Sequence, residues 1–424
     1  AAATKLDGSV SATMNNITST NHGLEISAKH DHKTTLVSAS AAVSAAMVSG
    51  AVGAGVGAVN DDFTTNAELI NSDVTASEAE GQTGSGSVKV AADSSTSVTT
   101  VVAGVAGSMG AAASTISVNN LNSQTSAVVQ SSIVRAQKDV AVDAHNKVTT
   151  KFNAATLGAG GAAVATGVGV NTIGTSTLAK VDNSTVNAQT ADIKAREELD
   201  VDQNIVGATV GGVGVNANVM VTSIGTKLAD TYGSSEDKGA SFDTAAVLKK
   251  ANTALDSQKT ATTDDTTASS KVVKDNLHNT DTGVESTDAS GVTASSGKSD
   301  AKGTQVSVTD STVTTEDTLA LSAKRQTDAA VTAAAASVGS VDLSATVAVL
   351  DAKKDAGVTV SGSTLTAGKD LSVLAKQGGT TGITAYQGNI SALAGISAAY
   401  AQSSSSGSTA ISLEKSTLQT AKGS

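Results

Sequence analysis

A short motif, Ser/Thr-x-Val/Leu-x-Ala/Thr or close to it, recurs down this chain and limits its possible folds more than any other feature. It is anchored on Val10, Val74, Val134, Val186, Val313, Leu365 and Leu418, at successive spacings of 64, 60, 52, 127, 52 and 53 residues. A second motif with strict strand alternation follows five of the seven anchors: Leu24-Ile26-Ala28, Val88-Val90-Ala92, Val140-Val142-Ala144, Leu319-Leu321-Ala323 and Leu371-Val373-Ala375. Leu199-Val201 continues that series but breaks to Gln203. A third, Val-Asn, precedes the anchors at Val59-Asn60, Val118-Asn119 and Val170-Asn171, and Val215-Asn216 stands ahead of the 127-residue gap. Three landmarks in constant order define one repeated unit, not a series of unrelated domains.

Composition says what such a unit can bury. The 424 residues include 40 Gly, no Pro, Cys or Trp, and only three Phe and three Tyr. The apolar residues are mostly Ala and Val, which fill a narrow core. Alternating segments about 17 to 20 residues apart predict an all-β, parallel β-solenoid with three coils per repeat. About 19 coils stacked about 4.8 Å apart would then make a rod about 90 Å long, right-handed by the general chirality of parallel crossovers. Gly and Asn are expected at the corners. At three coils per repeat, equivalent Asn would stand about 14 Å apart, too far for a continuous ladder. Residues 1–229 and 304–424 are expected to form the solenoid. Residues 230–303, polar and aperiodic, form an insertion whose ordered candidate is a helix from Ser241 to Leu255. Phe242, Ala245, Ala246, Leu248 and Leu255 lie on one side of that helix and Lys249-Lys250 on the polar side. A disordered, tolerated insertion and a recognition excursion both fit this composition.

The Gly/Ala runs 39–58 and 158–170 imitate membrane spans in mean hydropathy. They lack strongly apolar residues and aromatic or basic flanks, and they recur in register with the strands, so no membrane span is expected. A net charge of −11 with only three Arg (Arg135, Arg196 and Arg325) offers no basic stripe for nucleic acid. Absence of Cys removes disulfides and thiol chemistry. The first residues, Ala1-Ala2-Ala3-Thr4, read as part of something longer, with no signal peptide.

The repeat order, with Ser184-Thr185-Val186-Asn187-Ala188, Lys138-Asp139-Val140-Ala141-Val142-Asp143-Ala144 and intervening Ala/Gly runs, resembles the repeats of large bacterial filamentous adhesins and leukotoxin-type exoproteins, similar in architecture to filamentous haemagglutinin. The resemblance covers residues 1–229 and 304–424. It implies a secreted, surface-attached β-helix serving as a stalk or adhesive fibre in virulence, binding a host-cell or matrix receptor or neighbouring cells, with lateral or end-to-end self-association. The export route, two-partner secretion or autotransport, is left open.

Chemistry-bearing patterns are sparse. His30-Asp31-His32 places two imidazoles on one strand face, a metal-like spacing, yet its place at the end of a strand segment reads as an exposed turn. His145, in the comparable place two units on, would be about 30 Å away along the predicted rod; His22 and His278 show no partner pattern. Gly211 to Val219 is similar to a calcium-binding nonapeptide with Asn in place of Asp, in a single copy. Gly53 to Ala58 fits a loose dinucleotide fingerprint but runs into another strand. Asp61-Asp62 and Lys369-Asp370 are lyase-like only by residue type, and Phe63, Phe152, Tyr232, Phe242, Tyr386 and Tyr400 are too scattered for a sugar platform. The expectation is therefore a non-enzymatic adhesive rod with no catalytic, cofactor or metal residue. The alternatives are a self-assembling fibre, an ice-binding-type solenoid suggested by Val313-Thr314-Thr315, and a polysaccharide-acting β-helix enzyme.

Overall fold

The computed structural model describes residues 1–44, 50–78, 86–225 and 303–421. Its elements are β1 (Ala2–Asn15), β2 (Thr18–Asn21), β3 (Leu24–Val43), β4 (Gly50–Ile70), β5 (Asp73–Ala76), β6 (Val88–Gly107), β7 (Gly110–Gln130), β8 (Ile133–Ala136), β9 (Asp139–Asp182), β10 (Thr185–Ala188), β11 (Thr190–Ile224), β12 (Gly303–Thr309), β13 (Thr312–Thr315), β14 (Thr318–Lys353), β15 (Ala356–Ser361), β16 (Thr364–Ala367), β17 (Asp370–Gly378), β18 (Thr381–Ser406), β19 (Thr409–Glu414) and β20 (Thr417–Thr420). Every pairing between them is parallel. The chain is a parallel β-solenoid.

Register corrects the coil size. Val134 pairs with Val186 and Val142 with Ile193, so one whole repeat is a single turn, not three. Each rung is one short strand, a long outgoing arm (arm 1), a tip, and a long returning arm (arm 2). The rungs are β2–β4, β5–β7, β8–β9, β10–β12, β13–β15 and β16–β19, with β1 before the first and β20 after the last. Seven short strands stack in order, a height of about 29 Å between the first and the last, in place of the expected rod of about 90 Å. An arm of 20 residues such as β3 reaches about 66 Å if straight, so the body is broader than it is tall.

The three landmarks are thus three sides of one turn. Six of the seven anchors stack in a single column, but Val10 does not: it lies in β1 opposite Thr65, and the first member of the anchor column is Ser19. Likewise Ala191-Ile193-Ala195 is the true rung-4 member of the second motif, while Leu199-Val201 lies eight residues farther along the same strand. The Asn residues sit inside arm 2, not at bends. Asn119 stacks on Asn171 and donates to it at 2.6 Å, and Asn120 donates to Asn60 at 2.9 Å, so neighbouring rungs do form Asn ladders. Val215-Asn216 is displaced from that column, pairing with Val164-Ala165.

The corners use another device. After arm 2 a residue enters the left-handed region (Asn16, Asn71, Ser131, Asn183, Asp310, Gly362 and Lys415, φ 45 to 62°). From Asn71 onward a serine follows. Each serine hydroxyl, Ser72, Ser132, Ser184, Ser311, Ser363 and Ser416, donates to the carbonyl two residues back at 2.6 to 2.8 Å. The same oxygen accepts the corner N–H of the preceding rung at 3.1 to 3.2 Å. This serine column supplies partners to corner amides that fall between sheets.

Inside, three apolar zones follow one another from base to tip. Ile26, Ala28, Ala67, Leu69, Val74 and Ala76, with their stacked equivalents, fill a three-sided prism. Farther out, Val148, Phe152, Ile173, Leu199 and Ile205 lie between the arms. Near the tip the arms touch through Gly and Ala: a Cβ on Gly55 would come within 2.6 Å of the Ala103 carbonyl oxygen, and one on Gly104 within 2.5 Å of that of Ser114. The Gly/Ala runs are therefore where the arms close on each other. No helix among the described residues is long and apolar enough to cross a membrane.

Rung 4 carries the interruption. Ile224 still pairs with Ile173 below and Ala352 above, and pairing resumes with Gly303 on Ser176. By that register, residues 226–302 replace the single position equivalent to Thr175. Gly225 (φ 67°) and Gly303 (φ 71°) turn the chain out and back, a left-handed backbone that glycine adopts without a Cβ clash. The expected helix from Ser241 to Leu255 lies outside the described residues.

Candidate functional site

Between the prism and the middle core runs a polar layer. Its arm-1 column is His30, Ser94, Asn146, Glu197, Arg325 and Gln377, and Phe63, Ser123 and Thr175 stack on arm 2. Ser123 donates to Asn146 at 3.0 Å. One rung on, Thr175 donates to Glu197, which also accepts from Thr177 at 3.4 Å, Thr304 at 2.9 Å and Arg325 at 3.2 Å. Both charged side chains are buried, at 1% and 0% exposure. The arm-2 position that would face Arg325 is where the chain leaves the rung, and the guanidinium turns to Glu197 and Thr175 instead. With its donors in place and no solvent contact, Glu197 is a structural carboxylate; a general base needs access to a reacting proton.

At the first rungs His30 and His32 stack on each other at 5.8 Å and lean on the Phe63 ring at 4.5 and 4.6 Å. These histidines are half-buried between the arms, not in an exposed turn. Burial, then the neighbouring His32, lowers the pKa of His30 against the opposing pull of Asp31. His32 bonds the Thr34 hydroxyl at 2.6 Å, and Thr34 donates to the buried Asp61 at 3.1 Å. Burial pushes the Asp61 carboxyl up, partly offset by Thr34. No cluster of three His, Asp or Glu suited to a metal ion occurs among the described residues. His145 stacks on Asp93, which stacks on Lys29, so it stands two rungs from that position, about 10 Å and not about 30 Å. It pairs with Asp93 at 3.0 Å. His22 contacts the Ser77 carbonyl at 3.4 Å, and His278 lies outside the described residues.

The structure separates the other sequence candidates. Asp61 faces inward while Asp62 faces outward and accepts from Asn122 at 3.0 Å. Lys369 pairs with Asp317 of the preceding rung at 2.5 Å. Within Gly211 to Val219, Asn216 and Asn218 donate to the Ala336 and Ala334 carbonyls at 3.1 and 2.7 Å, and these bonds tie arm 2 to arm 1. Gly53 to Ala58 runs along β4 against arm 1. Phe63 and Phe152 are buried, Tyr386 and Tyr400 are exposed on the last rung, and Tyr232 and Phe242 lie outside the described residues.

Two lateral faces present ordered side chains. On arm 1, Arg196, Lys324 and Lys376 stack in one column beside a groove also lined by Lys147, Glu198 and Asp328. Arg196 is tied to Asp143 at 2.9 Å and Lys147 reaches Glu198 at 3.9 Å, which mixes the signs. On the short-strand sheet, Thr185, Thr312, Thr364 and Thr417 form one outward column, and Asn187, Thr314, Thr366 and Gln419 the next. No family model, curated protein or solved structure matches this chain. The assignment therefore rests on geometry.

Sequence reading missed the Glu197–Arg325 pair, although the signal was present. Counting by two from the buried Ala195 and Ala323 puts Glu197 and Arg325 on the inward face.

Proposed function

We propose that this chain is a structural and adhesive segment of a secreted bacterial surface adhesin, a scaffold and not an enzyme, which attaches to a host-cell or matrix receptor or to neighbouring cells. The observation that supports this reading most is the serine column, with the ladders in register beside it. Each rung is fastened to the next by the same bonds, an arrangement that resists shear and presents lateral faces at a fixed spacing. The resemblance to filamentous-adhesin repeats points the same way. The test is attachment of beads carrying the whole chain to cultured epithelial cells and to matrix proteins, beside beads carrying a rung-breaking Val142→Asp variant. Binding by the folded chain and loss with the variant is expected; equal binding by both, or by neither, refutes the reading.

The Thr columns favour a second reading, an ice-binding-type face. These Thr residues are widely separated along the sequence, but the stacking aligns them about 4.8 Å apart on the short-strand sheet. Thermal hysteresis that disappears with Thr312→Lys and Thr364→Lys supports this alternative, and none at millimolar protein rejects it.

A further inference from the structure

Near the tip of rungs 4 and 5 the fold buries a carboxylate without a counter-charge. Asp342, on arm 2 of rung 5, is 1% exposed, and among the described residues no side chain donates to either of its oxygens. Asp61 and Asp143 also bury one oxygen without a partner, but each satisfies the other oxygen, Asp61 through Thr34 and Asp143 through Arg196. The Gly339 amide pulls on Asp342 but carries no charge to cancel its own. In its column Asp342 has Gly214 on the rung below and Gly395 on the rung above, so no side chain of that column stacks on the carboxylate. The space beside it is a cradle. A Cβ on Gly214 would lie 2.5 Å from Asp342 Oδ1, 2.9 Å from Thr209 Oγ1 and 3.4 Å from Ser337 Cβ, and one on Gly339 would lie 2.9 Å from the same Oδ1. Thr209 is 1% exposed, and its hydroxyl oxygen is likewise without a partner. Two orphaned buried oxygens, one of them charged, thus flank a volume that glycine keeps free of side chain.

We propose that Asp342 and Thr209 are ligands of a small monovalent cation, sodium, held between the arms of rungs 4 and 5. The donors are all oxygen, which suits a hard ion. Charge selects a singly charged one. A buried charge is tolerated when it is paired, and one sodium leaves the site neutral. Calcium, which takes about 6–8 oxygen ligands and gains affinity with their charge, would leave a positive charge buried. The ion also joins two arms. Thr209 lies in β11 on arm 1 of rung 4 and Asp342 in β14 on arm 2 of rung 5, whereas the Asn216 and Asn218 bonds run from arm 2 of rung 4 to arm 1 of rung 5. The two links cross, and they fasten the arms where Gly and Ala contacts bury little apolar surface. Sodium is then a structural ligand, and it couples the stability of this part of the solenoid to the salt around it.

The test is urea unfolding of the full chain near neutral pH in sodium chloride at about 0.15 M and in tetramethylammonium chloride of equal ionic strength, whose cation is too large for the cradle. An ion bound to the folded state alone stabilises it according to its concentration over its Kd, so sodium at about ten times Kd lowers the unfolding constant about ten-fold. The parent is expected to show that drop, growing with sodium concentration, and Thr209→Val a smaller one. Asp342→Asn, the more stable protein in tetramethylammonium chloride, is expected to show none, so sodium narrows the gap between it and the parent. Broadening of the sodium NMR line by the parent and not by Asp342→Asn reports the binding directly. Equal stability of the parent in the two salts, or a sodium effect that Asp342→Asn retains in full, overturns the proposal and leaves Asp342 a buried neutral acid. Stronger stabilisation by millimolar calcium chloride than by sodium chloride, abolished by the same variant, overturns the assignment to a singly charged ion.

Discussion

Replacing Arg325 with Met tests how the solenoid tolerates a break in one rung. In the parent, Glu197 is fully buried and its carboxylate is satisfied by Arg325 at 3.2 Å and by the Thr175, Thr177 and Thr304 hydroxyls. Removing the guanidinium leaves a buried carboxylate with neutral donors only, and breaking a buried pair from one side costs about 3–5 kcal/mol. The double variant Glu197→Gln with Arg325→Met retains no buried charge, so it should lose less than Arg325→Met alone. Urea unfolding of the parent, both single variants and the double variant gives the coupling energy directly. Apart from the reach of Arg325 to Thr175 two rungs away, the strand ladders join adjacent rungs, so hydrogen exchange should accelerate first in β9, β11 and β14 and leave β5 and β8 protected. A loss below about 1 kcal/mol for Arg325→Met, or a double variant worse than that single one, would refute the reasoning.

Ser184→Ala removes the hydroxyl that accepts the Ser132 N–H at 3.1 Å and donates to the Asp182 carbonyl at 2.7 Å, and should cost about 1–3 kcal/mol in urea unfolding. Val142 is stacked between Val90 and Ile193 with no exposure, so Val142→Asp should cost more than about 4 kcal/mol and open several rungs by circular dichroism; parent-like melting would contradict that placement. Asp342 is buried with no side-chain partner, and burial pushes its carboxyl up against the pull of the Gly339 amide. Its stabilising contribution is therefore fully present below the ordinary carboxylate range and lost as pH rises through its raised value. Asp342→Asn should be more stable than the parent by about 1–3 kcal/mol near neutral pH, with the difference shrinking as the pH approaches 4; a variant less stable at every pH counts against this.

Fold class was legible in the residue pattern alone. Alternation by two, narrow side chains and landmarks in constant order leave a stacked parallel solenoid as the arrangement that buries them, and Ser-x-Val or Ser-x-Leu already marks each corner serine. Parity also located the inward Glu197 and Arg325 for anyone counting from Ala195 and Ala323. The size of the turn was not legible, because alternation says which face a residue takes and nothing of which residue it stacks on. Three evenly spaced strands per repeat read equally well as three small coils or as three sides of one large one. Only the pairing of Val134 with Val186 and of Val142 with Ile193 decided this, and with it the height of the body, the Asn ladders and the false membership of Val10. The outward valine columns of arm 2 were equally hidden. Val168, Val219 and Val347 are far apart in sequence and ordinary strand residues one at a time; they become a surface only when the rungs stack.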